Sequence, residues 1–222
     1  MRIINCEQGS PEWINARLGL VSASRFKDVM TEPRAKKDKE AGMLSGTAES
    51  YMQELISEIL TGQQMAISGK ALDHGTEYEP AACTHYEFMF DIDVEHVGII
   101  LTDDRKTGAS PDGLVGADGM IEIKCPYSSK NHIATIISGC MPSEHMPQVQ
   151  GNMWINGRQW CDFISFDPRI DGDAGFFVQR IYRDEEYIQT LEEKVSAFVR
   201  KMEQVLMQKL GIVWDGVNVE QC

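Results

Sequence analysis

Between Thr107 and Lys124 two short runs with strand character, Thr107–Pro111 and Met120–Lys124, flank Gly116-Ala117-Asp118-Gly119. The Asp-Gly pair is among the strongest short-range signals for a β-hairpin. A turn centred there carries Asp112 back toward residues 122–124. Side chains alternate along a strand, so Glu122 and Lys124 share one face while Ile123 turns into the core. Ser110-Pro111 stiffens the approach to Asp112, Gly113 permits close backbone approach, and Cys125-Pro126 stops the strand just past Lys124. The chain must therefore hold two carboxylates and an ammonium together at a strand end, where loops and helices can build a cleft.

The chemistry of that grouping suits a hard divalent cation. Mg²⁺ takes about six oxygen ligands, only a few of them from protein, and the backbone carbonyl of Ile123 offers one more oxygen beside Asp112 and Glu122. Lys124 is placed to orient a water or offset developing charge. From spacing alone, an ordinary hairpin with solvent-facing acids fits equally well. Upstream, His74-Gly75-Thr76-Glu77-Tyr78-Glu79 reads as a helix opening. Glu79 would lie one turn in from Gly75 and could add an acid, although a lone histidine at a helix start is more often a cap or surface residue.

The remaining chain supplies an α/β frame. Helices are expected from Ser22-Ala23-Ser24, as a cap, through Met30, and over 47–60, 76–90, 131–138, 143–156 and 184–210. In the last, Tyr187, Ile188, Leu191, Val195, Phe198, Val199, Met202 and Val205 form one apolar stripe. Strands are expected at 94–101, 107–111, 120–124, 160–167 and 175–181. The order points to a single domain over 1–222 with a mixed central sheet of about five strands and helices on both faces. The polar segment 31–47 reads as a flexible loop. The six cysteines are scattered without metal-binding spacing and are expected to be reduced thiols. No apolar run is long enough to span a membrane and the first residues are too polar for a signal peptide, so a cytoplasmic location is expected.

A formal net charge of -13 excludes a uniformly basic nucleic-acid coat but leaves room for a local basic groove. Arg25, Lys27, Arg34, Lys36, Lys37 and Lys39 fall close together, either as a solvated loop or as part of such a groove.

Taken together, SPDGL at Ser110–Leu114, EIKCP at Glu122–Pro126, RLGLVSAS at Arg17–Ser24, GTEYEP at Gly75–Pro80, HMPQVQGNMW at His145–Trp154 and FDPR at Phe166–Arg169 resemble the phage lambda exonuclease family. These YqaJ-type viral recombinases belong to the PD-(D/E)xK nuclease superfamily, with a restriction-endonuclease-like core. The resemblance implies a Mg²⁺-dependent 5′→3′ exonuclease on linear duplex DNA, with two ions per site and Mn²⁺ able to substitute. It would release mononucleotides and leave 3′ single-stranded tails. By the same resemblance Asp112, Glu122 and the Ile123 carbonyl hold metal, Lys124 is catalytic, and Glu79 helps bind or order a second ion or its waters. Arg17, Ser24, Ser110 and Gln148 would take the 5′-phosphate, with Arg34 at the duplex end. His74 departs from the lambda pattern toward the histidine of RecB-type nucleases, a metal ligand there, and either Gln148 or Gln150 could face inward. The family further implies a ring-shaped homotrimer, a single-strand annealing partner, and a phage or prophage origin in a bacterial host. The alternatives are a RecB- or resolvase-like nuclease on branched or single-stranded DNA, and a non-catalytic DNA-end clamp.

Overall fold

The computed structural model describes residues 2–64 and 69–217. Its elements run β1 (Arg2–Ile4), α1 (Pro11–Ala16), β2 (Val21–Ser22), α2 (Phe26–Met30), α3 (Lys36–Glu40), α4 (Gly46–Thr61) and α5 (Lys70–Phe90). There follow β3 (Ile99–Leu101), β4 (Thr107–Ala109), β5 (Gly113–Val115), β6 (Gly119–Lys124), α6 (Ser129–Ser138), α7 (Met146–Asn156), β7 (Trp160–Phe166), β8 (Phe176–Tyr182) and α8 (Glu185–Leu210). The mixed α/β class expected from the sequence is what the chain forms. No helix among the described residues is long and apolar enough to cross a membrane.

The strands divide into two four-stranded mixed sheets, β1-β3-β4-β2 and β5-β6-β7-β8, where the sequence pointed to one sheet of about five. The division falls at Ser110-Pro111-Asp112. Proline cannot donate to a ladder and fixes its own φ, so the chain leaves the first sheet after Ala109 and enters the second at Gly113. The hairpin around Asp118-Gly119 forms, but its first arm is β5 rather than Thr107–Pro111, in the register Gly113↔Ile121, Leu114↔Met120 and Val115↔Gly119. Strands β6 and β7 pair in parallel and β7 pairs antiparallel with β8. A parallel pair needs a long crossover, here the chain through α6 and α7.

Helix α7 is the centre of the molecule. It packs against β3 and β4 of one sheet, β7 of the other, and α2 and α8. Nearly all of it is buried, and Gly151 lets it meet α2, because a Cβ there would drive into the Phe26 ring. On its far side the second sheet is covered by α5, where Ala82, Cys83 and Tyr86 pack on Ile121, Ile123 and Ile164. Strand β6 thus alternates strictly: Ile121 and Ile123 face α5, while Glu122 hydrogen-bonds to side chains of α7.

Helix α4 ends as expected at Gly62, which takes a left-handed conformation (φ 64°), and Ser45 caps its start. The stripe of α8 is buried at Ile188, Leu191, Val195, Phe198, Val199 and Met202. Four expectations need correction. Helix α5 opens at Lys70, so His74 and Gly75 lie within it rather than at its start. Part of the segment expected as loop forms α3, held by Lys39–Glu32 and Lys36–Glu40 ion pairs. The short β1, β2, β5 and α1 carried no periodic signal. Ser22 and Ser24 do not cap a helix, since the Ser22 position has no side-chain cap bond and both hydroxyls serve Arg17 instead. Cys83, Cys125 and Cys161 are buried thiols and Cys140 is an exposed one, and Cys222 lies outside the described residues.

Candidate active site

The turn between β4 and β5 and the end of β6 meet as the sequence requires. Asp112 Oδ2 accepts from the backbone N–H of Ile123 at 2.5 Å, which pins the carboxylate against the strand at the residue before Lys124. Glu122 is fully buried (0 % exposed). Its Oε1 accepts from Lys124 Nζ and from Gln148 Nε2, and its Oε2 accepts from Asn152 Nδ2 at 3.0 Å. A buried carboxylate is costly unless paired and hydrogen-bonded, and both oxygens here are occupied.

The electrostatics show an acid-rich centre held by one cation. Burial raises the Asp112 pKa well above the ordinary carboxylate range, and the like charges of Glu122 and Glu79 push it the same way. Burial also raises Glu79, partly countered by Lys124. For Lys124 burial works against the charged form, but Glu122, Asp112 and Glu79 more than offset it, so the ammonium is held above its usual value. Three acids facing one lysine make a site that favours additional positive charge. Among the described residues no three His, Cys, Asp or Glu side chains are already gathered as a ligand cage.

Helix α5 supplies Glu79, the adjacent Tyr78 and, in the preceding turn, His74. The His74 ring lies 4.7 Å from Tyr78 and meets Tyr127 edge-on at 5.6 Å, and its buried Nε2 has no hydrogen-bond partner among the described residues. Tyr127 belongs to the segment that follows β6, and Arg169 fixes that segment by donating to the carbonyls of Pro126 (3.2 Å) and Tyr127 (3.0 Å). Arg169 is in turn gripped by both oxygens of buried Asp167, at 2.7 Å and 2.9 Å. The motif at 166–169 therefore works as a clamp on the strand end.

Beside this centre lies a second polar group. Arg17 stacks over the Trp13 ring at 4.1 Å and donates to Ser22 Oγ (3.3 Å) and Ser24 Oγ (3.4 Å), and the two hydroxyls are 3.1 Å apart. Trp13 Nε1 donates to Ser110 Oγ at 3.2 Å. Tyr51 supports the floor, taking the Ser22 N–H on its hydroxyl at 3.1 Å. Burial pulls the Arg17 guanidinium below its ordinary pKa, as expected of a cation set to meet an anion rather than bulk water. Ser110 is two residues from Asp112, so the two groups share one turn.

The structure thus brings together Asp112, Glu122, Lys124 and Gln148, places Glu79 within their field, and assembles Arg17, Ser24 and Ser110 separately. Arg34 is exposed in the bend before α3 and is not among the side chains that bond to the Arg17 group. Of the two glutamines, Gln148 faces the site. Gln150 is buried away from it, donating to the Tyr182 carbonyl and accepting from the Asp184 N–H. Sequence reasoning missed Asn152, Trp13, Ser22, Tyr51 and His145. The His145 ring stacks on Phe163 at 5.3 Å, and burial, with the charges of Lys124 and Lys27, lowers its pKa to about 4. Asn152 alone had a legible signal, since it follows Gln148 by four residues on one helix and so shares its face.

The fold and site define an α/β domain with a carboxylate–carboxylate–lysine centre at a strand end and an arginine–serine pocket beside it. The chain belongs to the YqaJ-like viral recombinase domain family, whose model matches residues 12–159. It is similar to an alkaline exonuclease of Laribacter hongkongensis, LHK-Exo, at 42% identity and a TM-score of 0.80, covering 91% of this chain and 98% of that one. A structure of LHK-Exo in complex with dAMP matches at 43% identity and the same TM-score and coverage. A phage-related exonuclease from Haemophilus somnus 129PT shares the fold, at 22% identity and a TM-score of 0.66 over 86% of this chain and 96% of that one. The Escherichia coli (strain K12) protein ExoD is 33% identical over 72 residues, which are 32% of this chain and 80% of that one.

Proposed function

We propose that this chain is a Mg²⁺-dependent exonuclease that digests one strand of linear duplex DNA from 5′-phosphorylated ends, 5′→3′, to mononucleotides. The observation that carries the reading is the shared turn: Ser110, bonded into the Arg17 pocket through Trp13, stands two residues from Asp112 of the acidic centre. A hydrolytic site and an anion pocket held that close, on one rigid segment, suit a substrate that ends where it is cut. Family membership and the likeness to LHK-Exo support the nuclease assignment.

Asp112, Glu122 and the Ile123 carbonyl would hold the ion, with Glu79 and the unpartnered Nε2 of His74 available to a second ion or its waters. When bound, Mg²⁺ supplies Lewis-acid polarisation of the scissile phosphate and lowers the pKa of an attacking water, and Mn²⁺ would substitute. Lys124, tied to Glu122, directs its ammonium at the nucleophile or at charge building on the phosphate. Arg17, Ser24 and Ser110, joined by Ser22, receive the terminal 5′-phosphate with a charged fork and hydroxyls. That anchor selects the end and sets the distance to the cut. Gln148, bonded to Glu122 from α7, would add an amide donor for the phosphate, and Arg34 would meet the duplex from the basic segment. The product, a 3′ single-stranded tail, is what an annealing recombinase requires. A homotrimeric ring in the cytoplasm of a bacterial host, with Lys and Arg concentrated on its channel, would reconcile the charge of -13 with DNA binding.

The test is digestion of 5′-phosphorylated linear duplex with Mg²⁺, beside closed circular, 5′-hydroxyl and branched substrates. Loss of linear duplex to mononucleotides, with the circle intact, is expected. Equal cutting of the circle, or preference for branched or single-stranded DNA, would replace this reading with a RecB- or resolvase-like one. Binding of ends without cleavage at any divalent metal would leave an end clamp.

A further inference from the structure

Glu122 is held by more than its ion pair with Lys124. It is fully buried, and each of its oxygens is taken: Oε1 by Lys124 and Gln148, Oε2 by Asn152 at 3.0 Å. Asn152 is itself 1 % exposed, on the most enclosed helix of the molecule, and lies four residues after Gln148. That spacing stacks the two amides on one face of α7, so a single rigid helix grips the carboxylate at both ends. Neighbouring residues fix how little α7 can move. Gly151 is pressed against Phe26, and Gln150 bolts the helix to the β8–α8 connection through Tyr182 and Asp184.

Resting on the metal-nuclease reading above, we infer that Asn152 is a positioning residue that sets Glu122 for divalent-metal binding. A carboxylate with only its Oε1 held can rotate about its terminal torsion, which is broad. Occupying Oε2 from the interior fixes the plane of the group. It also leaves Oε1, beside Lys124, as the oxygen available to an incoming ion. An amide suits this task because it donates without adding charge. A carboxylate at 152 would repel Glu122, and an apolar residue would leave Oε2 buried and unsatisfied. Partners that orient metal ligands from behind tune metal affinity, and their loss typically costs about 10- to 100-fold.

The experiment compares wild type with Asn152→Ala and Asn152→Asp. Mn²⁺ affinity is measured by calorimetry without DNA, 5′-phosphorylated duplex binding without metal, and single-turnover cleavage. Both variants are expected to bind Mn²⁺ about 10- to 100-fold more weakly and to cleave more slowly at fixed metal, with DNA-end affinity unchanged. Wild-type Mn²⁺ affinity in either variant overturns the inference. If Asn152→Ala lowers the melting temperature too far for titration, it is made in a Glu122→Gln background. A much smaller loss there supports the role, because the carboxylate that needed the amide is gone. An equal loss in both backgrounds assigns Asn152 to packing and overturns it. Should wild type itself bind no divalent ion and cleave no DNA, the nuclease reading fails first, and the two failures are thereby distinguished.

Discussion

Lys124 and Arg17 are both half-buried cations, and their surroundings shift them in opposite directions. Lys124 stands in the field of Glu122, Asp112 and Glu79, which outweigh the penalty of burial and hold it charged. Arg17 donates to hydroxyls, and burial lowers its pKa despite the nearby charge of Glu58. On the proposed function, the first serves the acidic centre and the second the terminal phosphate. Lys124→Ala should therefore reduce cleavage by at least about 10²–10³-fold, the size of losing one preorganised charge stabiliser, while 5′-phosphorylated ends still bind. Single-turnover kinetics beside a gel-shift assay reads both, and retained cleavage would remove the assigned role. Arg17→Ala should act on binding and discrimination. A hydrogen bond to a charged group is worth about 1.5–3 kcal/mol, so affinity for phosphorylated ends should fall at least tenfold and the preference over 5′-hydroxyl ends should largely disappear. A preference that survives would move the phosphate elsewhere.

At the scale of elements, the site depends on where β6 stops and on what holds the chain beyond it. Asp167, after β7, grips Arg169, which reaches across to Pro126 and Tyr127 just past Lys124. The hydrogen bonds from Arg169 lower the Asp167 pKa far below its ordinary value, against the effect of its burial. A carboxyl with a depressed folded pKa contributes stability above its unfolded pKa of about 3.9, and that contribution is lost as pH falls toward the folded value. Asp167→Asn should thus destabilise by about 1–3 kcal/mol at neutral pH, and the gap to wild type should narrow as the pH is lowered below about 4. Denaturant melts across that range check it; a gap that is constant with pH would assign the effect to packing. The same scale separates what could be read from the sequence and what could not. The meeting of Asp112 with Glu122 and Lys124 was legible because Asp118-Gly119 and strand alternation are local signals. Helix α8 was legible because its stripe is long. The split into two sheets was not, since pairing of β1 with β3 and of β2 with β4 is a long-range choice by strands of two or three residues. Nor were Trp13 and Tyr51, which reach the pocket across the fold and look like ordinary core aromatics in sequence. The start of α5 was placed late because Gly75 reads as a breaker, yet the helix runs through it.

For the molecule as a whole, 34 acidic residues against 21 basic ones set a repulsive background for any polyanion. Several of the cations are also spoken for: Lys39 and Lys194 pair with Glu32, Arg25 with Asp28 and Glu54, and Lys106 with Glu203. On the proposed function, binding would come from a small set of local contacts, chiefly Arg17 and the segment around Arg34 and Lys37, against a field that spreads over the rest of the surface. The two contributions answer to salt in opposite directions. Contacts with phosphates release counterions, so affinity falls as salt rises, with a slope of about −0.9 per phosphate neutralised. Long-range repulsion is screened beyond about 10 Å at 0.1 M, so raising salt removes a penalty. A protein relying on close contacts at the DNA end should show affinity that falls with salt throughout, with a modest slope of roughly −3 to −5 for a handful of contacts. Titrating 5′-phosphorylated duplex from 50 to 300 mM salt by fluorescence anisotropy, in Ca²⁺ to prevent cleavage, measures it. A rise in affinity with salt would mean that the acidic exterior, and not the pocket around Arg17, governs how DNA approaches this fold.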